Sequence, residues 1–360
     1  MQEPISTMPL LESENKYPDC LSMKLEAIPV NDKHELDLYF TLEFNEQWES
    51  LLGGRVKFRL KGGELKLKLE GGEFSLASTE FSEFFFHVNT NDLNQNLVSV
   101  FEVKPLKGLL NQVKLGTLKV TEKPCRFAAK FEVSPPDVSV TDAEGLWRHH
   151  ISPNQHAVIE RKLAILLSSA RLQPYLSQSQ LCYECSPSFS AVENSSNLEQ
   201  LQELIQHISE AKTNDFLELA KIAALDLSRD FAGGNLLGAN LSKIDLSGAN
   251  LCRTNLRGAD LTDADLSEAN LSGANLSGAD LSGAYVENAD LSYTDLHRAS
   301  LALTNLGGAD LSGANLRQTN LSNANLSGAK VQSACFGNNP GLSLELQQNL
   351  IQRGAIFEQS

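Results

Sequence analysis

From Arg229 to Asn338, apolar and polar positions recur every five residues without a gap. Centred on Phe231, Leu236, Leu241 and so on to Phe336, this stretch holds 22 pentapeptides, and eighteen of the centres are Leu. The others are Phe231, Val286, Val331 and Phe336. Two places before the centre stands Ala in fifteen repeats and Thr in four (Thr254, Thr294, Thr304, Thr319). Asn or Asp directly precedes the centre in eighteen of the 22. Neither a helix, with period 3.6, nor a flat strand, with period 2, holds such a pattern in phase. The pattern therefore predicts a four-sided solenoid, each pentapeptide forming one side and four of them one turn. The centres (Leu236, Leu256, Leu276, Leu296 and Leu316 along one side, Phe231 and Phe336 at the two limits) and the small Ala or Thr then fill a narrow shaft. Asn and Asp are expected at the corners, where they tolerate left-handed backbone and bond to nearby amides. Gly recurs two places after the centre (Gly248, Gly258, Gly273, Gly278, Gly283, Gly313, Gly328), again as turn chemistry. Stacked at strand spacing, the coils would form a rod about 26 Å long. Each buried Leu contributes roughly 1.5–3 kcal/mol, but one coil has no core of its own, so only the stack is stable.

Ahead of the repeat the periodicity changes. Residues 1–18 are polar and read as a flexible tail. Over 19–145 the pattern is β. Leu36, Leu38, Phe40, Leu42 and Phe44 alternate with polar or partly polar neighbours. Val56, Phe58 and Leu60 precede Gly62-Gly63, and Leu65, Leu67 and Leu69 follow, which predicts a hairpin pairing Leu60 with Leu65 and Phe58 with Leu67. Further strands are expected at 84–88, 97–103, 115–121 and 127–133. Many strands without an intervening helix suggest an antiparallel β-sandwich-like domain. Residues 146–196 read as a helix opening at Ser152-Pro153, with stripe Ile159, Leu163, Leu166 and Leu167, followed by a Ser-, Gln- and Pro-rich linker. Two helices in 197–228, with Leu198, Leu201, Ile205 and Ile208 and then Phe216, Leu219 and Ala223, are expected to cap the open end of the solenoid. Over 339–360 Ser343 starts a short capping helix, with Ile351, Ile356 and Phe357 expected to cover the last coil.

The run A-x-L-x-x with Asn or Asp in second place, as in Ala249-Asn250-Leu251 and Ala279-Asp280-Leu281, resembles the pentapeptide-repeat family. The resemblance spans residues 229–338 and implies a right-handed quadrilateral β-helix, making the protein mainly β. It implies little about function, although some members of the family mimic DNA and bind DNA gyrase. The ending GLSLELQQNLIQRGAIFE is similar to the closing segment of cyanobacterial pentapeptide-repeat proteins. The N-terminal half resembles no family. In some family members the C-terminal end is a homodimer contact, and that alternative stays open for this one.

Composition narrows the choices. The formal net charge is −15, yet residues 229–338 hold eleven acids and seven bases, a net of −4. Most of the acidity lies outside the repeat, which argues against direct nucleic-acid binding. The N-terminus shows no basic and apolar leader, and no apolar run reaches membrane-spanning length, so a cytoplasmic protein without a membrane span is expected. Six scattered cysteines fit a reducing compartment.

Candidate sites are few. Arg257, Ser277, His297 and Arg317 share one outward slot on successive coils, with Arg298 beside them, and form a basic column. Asp245, Asp260, Asp263, Asp265, Glu268, Asp280 and Glu287 form an acidic flank, offset only by Lys243. Two readings fit: a docking surface with complementary patches, or a solvated exterior. In the expected hairpin Lys57 would face Lys68 and Arg59 would face Lys66, with Lys61 near the turn. Facing like charges cost stability, so that patch calls either for an anionic partner or for ion pairs with Asp37, Glu43 or Glu102. Cys182 and Cys185 have the spacing of half a metal or redox site, with no second pair, and only His149, His150 and His156 supply nearby nitrogens; Trp147 and Arg148 could join His149 and His150 in lining a cleft. No phosphate-cradling loop, nucleophile elbow or HExxH motif is present. The sequence thus points to a non-enzymatic protein–protein interaction scaffold or regulatory protein without a cofactor, its partner unidentified. The alternatives are a DNA-mimic acting on gyrase and a ligand- or carbohydrate-binding module in the β-domain.

Overall fold

A computed structural model describes residues 10–15, 17–31, 35–51, 53–77, 86–89, 97–101, 108–122, 125–147, 151–173, 176–183 and 198–358. The protein is mainly β with few helices, and the chain divides into two compact units. The first comprises Met1–Glu49, Val56–Asp142 and Leu166–Ser196; the second comprises Ser50–Arg55, Ala143–Ile165 and Asn197–Ser360.

The strands of the first unit run β1 (Leu10–Asn15), β2 (Leu21–Asn31), β3 (Glu35–Phe44), β4 (Gln47–Leu51), β5 (Gly54–Leu60) and β6 (Gly62–Glu70). They continue with β7 (Gly72–Leu76), β8 (Phe86–Asn89), β9 (Leu97–Phe101), β10 (Gly108–Val120), β11 (Cys125–Glu132) and β12 (Val138–Glu144). After helix α1 (Pro153–Leu166) comes β13 (Ser177–Tyr183). The strands form three open sheets, ordered β1-β13-β11-β6-β9-β8, β2-β3-β10-β7 and β12-β5-β4. Alternation in β3 has the expected effect: Leu36, Leu38, Phe40, Leu42 and Phe44 are all buried. With Phe58, Phe127 and Phe131 they make an aromatic-rich core, in which Phe44 meets Phe131 edge-on at 5.8 Å.

Three segments depart from the sequence reading. The hairpin about Gly62-Gly63 does not form, because β5 and β6 belong to different sheets. Both glycines lie inside β6, paired with Phe101 and Val100 of β9. A Cβ on Gly63 would stand 2.4 Å from the Phe131 ring, so the bare backbone serves close packing rather than a two-residue turn. The supposed linker contains β13, which is flanked on both edges by β1 and β11. Backbone pairing on both sides lets it bury Ser177, Gln178 and Ser179, so it shows no apolar alternation. The third departure is β1 itself, which lies within the stretch read as a flexible tail.

In the second unit, α1 accompanies α2 (Leu198–Glu210), α3 (Phe216–Ile222), the repeat segment, β14 (Cys335–Phe336), α4 (Leu344–Gln352) and β15 (Ile356–Phe357). Parallel bridges join residues twenty apart, from Asn235 with Asn255 to Asn315 with Cys335, so four pentapeptides complete one coil. Every Leu centre from Leu236 to Leu326 is buried. The four Thr that replace Ala are buried too, each hydroxyl donating to a backbone carbonyl, as Thr304 does to Leu281 at 2.7 Å.

The expected role of Asn and Asp is half corrected. They bond to nearby amides, but they sit in the bridges, and the left-handed position is the one two places after the centre. All twenty-two such positions have positive φ, twelve of them occupied by residues other than Gly. Tightening the turn there leaves the Asn or Asp side chain free to accept the N–H two residues on, as Asp265 does from Ser267 at 2.9 Å.

Both ends of the rod are closed by aromatic pairs. Phe216 of α3 packs on Phe231 with ring centres 5.2 Å apart, and Phe357 of β15 stacks on Phe336 at 5.1 Å. Leu350 of α4 is fully buried, whereas Ile351 and Ile356, expected in the cap, are about half exposed. No helix among the described residues is long and apolar enough to cross a membrane.

Candidate docking surface of the repeat segment

With the centre and the Ala or Thr slot turned inward, three of every five residues face outward, and the bridges align them in columns twenty residues apart. Arg257, His297 and Arg317 follow directly after their centres in one column, in which Ser277 occupies the coil between the first two; Arg257 is exposed and the other two are half-buried. Arg317 is engaged by Glu358 at 2.5 Å and by the Asn315 Oδ1 at 3.1 Å, and the Glu358 carboxylate raises its pKa further above the ordinary arginine range. Arg298 donates its Nε to Gln318 at 2.7 Å. The basic column therefore offers Arg257 and His297 more freely than Arg317.

On the acidic flank the carboxylates are turn-builders first. Asp245 accepts the Ser247 amide at 3.0 Å and its hydroxyl at 2.7 Å, and these bonds hold its carboxyl below the usual carboxylate range. Asp260 and Asp280 accept from Thr262 and Ser282, each at 3.0 Å, and Asp265 behaves alike. Glu287 accepts from the Asn305 carboxamide. Asp263 and Glu268 occupy left-handed positions instead. Among the described residues no ion pair joins any of these seven acids to a base, in contrast to Asp310, which Lys330 meets at 3.1 Å. Burial pushes the Asp310 carboxyl upward, but bonds from Ser312 and Lys330 outweigh it and the net shift is downward.

Sequence reasoning missed the apolar part of this surface. Tyr285 is 55% exposed, Tyr293 74% and Leu303 67%. Tyr285 stands in the bridge slot that elsewhere holds Asn or Asp, and Tyr293 and Leu303 stand in the left-handed slot. The Tyr293 ring lies over Gly313, whose missing Cβ would come within 2.7 Å of it. Departure from slot preference was the signal available.

The basic patch expected around residues 57–68 is not assembled, since its two strands are in separate sheets. Lys57 and Arg59 both pair with Glu46, at 2.6 and 3.0 Å. Lys66 pairs with Glu132 at 2.6 Å, Lys68 with Glu70 at 2.9 Å, and Lys61 is buried. Of the acids expected as partners, Asp37 meets Lys114 instead, Glu43 accepts from Asn45, and Glu102 lies outside the described residues. Cys182 is disulfide-bonded, which departs from the fully reduced set expected and removes its thiolate from metal binding; Cys185, Arg148, His149 and His150 lie outside the described residues. Among the described residues no group of three or more His, Cys, Asp or Glu is placed to hold a metal ion.

The model of the family "Pentapeptide repeats" matches residues 235–273, 269–308 and 304–338. No curated protein matches the chain. Among solved structures, the pentapeptide repeat protein Rfr23 from the cyanobacterium Cyanothece 51142 is 30% identical over 29% of this chain and 86% of its own, with a TM-score of 0.20. A pentapeptide repeat protein from the Arabidopsis thaliana thylakoid lumen is 32% identical over 32% of this chain and 78% of its own, with a TM-score of 0.20. HetL, involved in heterocyst differentiation regulation in Nostoc sp. strain PCC 7120, is 29% identical over 32% and 58%, with a TM-score of 0.18.

Proposed function

We propose, for a chain whose residues 235–338 match the Pentapeptide repeats family, a non-enzymatic role in which the outside of the rod docks another protein. In this reading the rod is a right-handed, four-sided β-helix and the first unit is a β-sandwich-like module. One observation carries the docking role: Leu303 and Tyr293 are exposed and left-handed at once. A side chain in that backbone region costs about 1–2 kcal/mol that Gly avoids. Ten of the twenty-two equivalent positions do use Gly. Leu303 and Tyr293 return nothing to the core, so their side chains are best explained by contacts with another molecule. Tyr285 adds aromatic surface of the kind enriched at protein interfaces.

The test compares the full chain with a Leu303→Gly, Tyr293→Gly, Tyr285→Asn variant as baits in lysate of the native cell. The variant should melt no lower than the parent and lose the proteins the parent retains. Retention of the same proteins by both baits would end the docking proposal.

A further inference from the structure

Within the rod, the backbone of each bridge residue is held by the coil before it. Asp260 donates its N–H to the Ala239 carbonyl at 2.9 Å, and its own carbonyl accepts from Leu241 at 2.7 Å. The first coil has no coil before it, and side chains of α1 take that place. The Asn154 carboxamide accepts the Asn240 N–H at 2.8 Å and donates to the Asn240 carbonyl at 3.1 Å, the two bonds that successive peptide groups of a preceding coil would make. The side-chain ladder is closed in the same way: Asn255 donates to Asn235 at 2.7 Å, and Asn235 donates to Glu160 at 2.8 Å. Glu160 is buried, and its other oxygen lies 3.5 Å from Nδ1 of His156. The half-buried His156 ring meets Trp147 edge-on at 5.4 Å.

We propose that the His156–Glu160–Asn235 chain is a proton-operated latch, closing α1 over the first coil of the rod. The Glu160 carboxyl is buried, and a charge buried there needs a nearby counter-charge. Among the described residues His156 is the one ionisable group paired with it. The neighbouring bases are used elsewhere, Arg161 on the Asp230 carbonyl and Lys162 on the Ala223 carbonyl at 2.6 Å. The bond that His156 donates to the Glu160 carboxylate raises the His156 pKa above its ordinary 6.5, against the opposing pull of burial. A raised folded value means that the stabilisation is full below the unfolded pKa and fades as pH climbs through the folded one. The latch is therefore closed in mild acid and loosens in mild alkali.

Hydrogen exchange of the full chain, corrected for intrinsic rates and read by mass spectrometry at about pH 6 and about pH 8.5, tests this directly. Amides of the first coil, residues 236–255, should lose protection by about threefold or more at the higher pH, while those of coils beyond residue 276 should not. His156→Gln and Glu160→Gln should each remove the difference. Because half-buried His156 tolerates the change more readily, its variant guards against a Glu160→Gln chain that fails to fold. Equal protection of the parent at both pH values, or a pH difference that survives in His156→Gln, would overturn the latch.

Discussion

At the scale of single residues, the rod separates side chains that hold it together from side chains that it merely displays. Thr304 belongs to the first group. It is buried in a slot that usually holds Ala, and its hydroxyl donates to the Leu281 carbonyl at 2.7 Å, which also accepts the Ala284 N–H. Replacing Thr304 with Val keeps the shape, removes the bond and buries a methyl beside a carbonyl. The expected loss is about 1 kcal/mol, since one of two bonds to that carbonyl survives. Chemical denaturation that showed no loss would mean that the hydroxyl is a passive filler. Leu303 belongs to the second group, and shortening it should cost the fold nothing. Spacing alone places Thr304 in an inward slot and Leu303 in an outward one; what it does not give is the cost of a Leu where Gly is common.

At the scale of elements, the ends of the rod are where stability is concentrated in a few polar atoms. Asn154 serves three backbone groups at once, the amide and carbonyl of Asn240 and the carbonyl of Asn214 at 2.7 Å. Asn154→Leu should cost about 1–3 kcal/mol, because three partly buried bonds made by one buried side chain are lost together. Thermal unfolding together with faster exchange at residues 236–255 would register the loss, and an unchanged melting point would show that α1 is not a structural end-cap. Such a role could not be read from the sequence, where the α1 stripe of Ile159 and Leu163 suggests an ordinary amphipathic connector. The polar residues Asn154, Glu160 and Arg161, buried against a backbone edge, carry no periodic signature. What was legible followed from strict period: the buried Leu ladder and the alternation of β3. Strand β13 was hidden because pairing on both edges replaces apolar burial with backbone bonds, and Gly62-Gly63 misled because a glycine pair serves close packing as well as it serves a turn. The exposed apolar side chains were legible in principle, as Tyr285 and Leu303 break the preferences of their slots, but a reading that followed charge passed over them.

At the scale of the whole molecule, charge argues against DNA mimicry and in favour of the proposed docking role. A mimic needs acids displayed along its length at the spacing of phosphates. Here the repeat carries eleven acids against seven bases, a net of −4, while the chain as a whole stands at −15. Several of the acids are committed to turn bonds, as Asp245, Asp260 and Asp280 are, and Asp310 is neutralised by Lys330. One column presents Arg257 and His297 where a mimic would present further carboxylates. A supercoiling assay should accordingly show DNA gyrase working at an unchanged rate in the presence of an excess of the full chain. Inhibition that disappeared on charge reversal of Asp260, Asp263 and Asp265 would restore the mimic. Inhibition that instead followed the Leu303→Gly, Tyr293→Gly, Tyr285→Asn set would leave docking intact and name gyrase as the partner, because apolar contacts rather than displayed charge would then be making the complex.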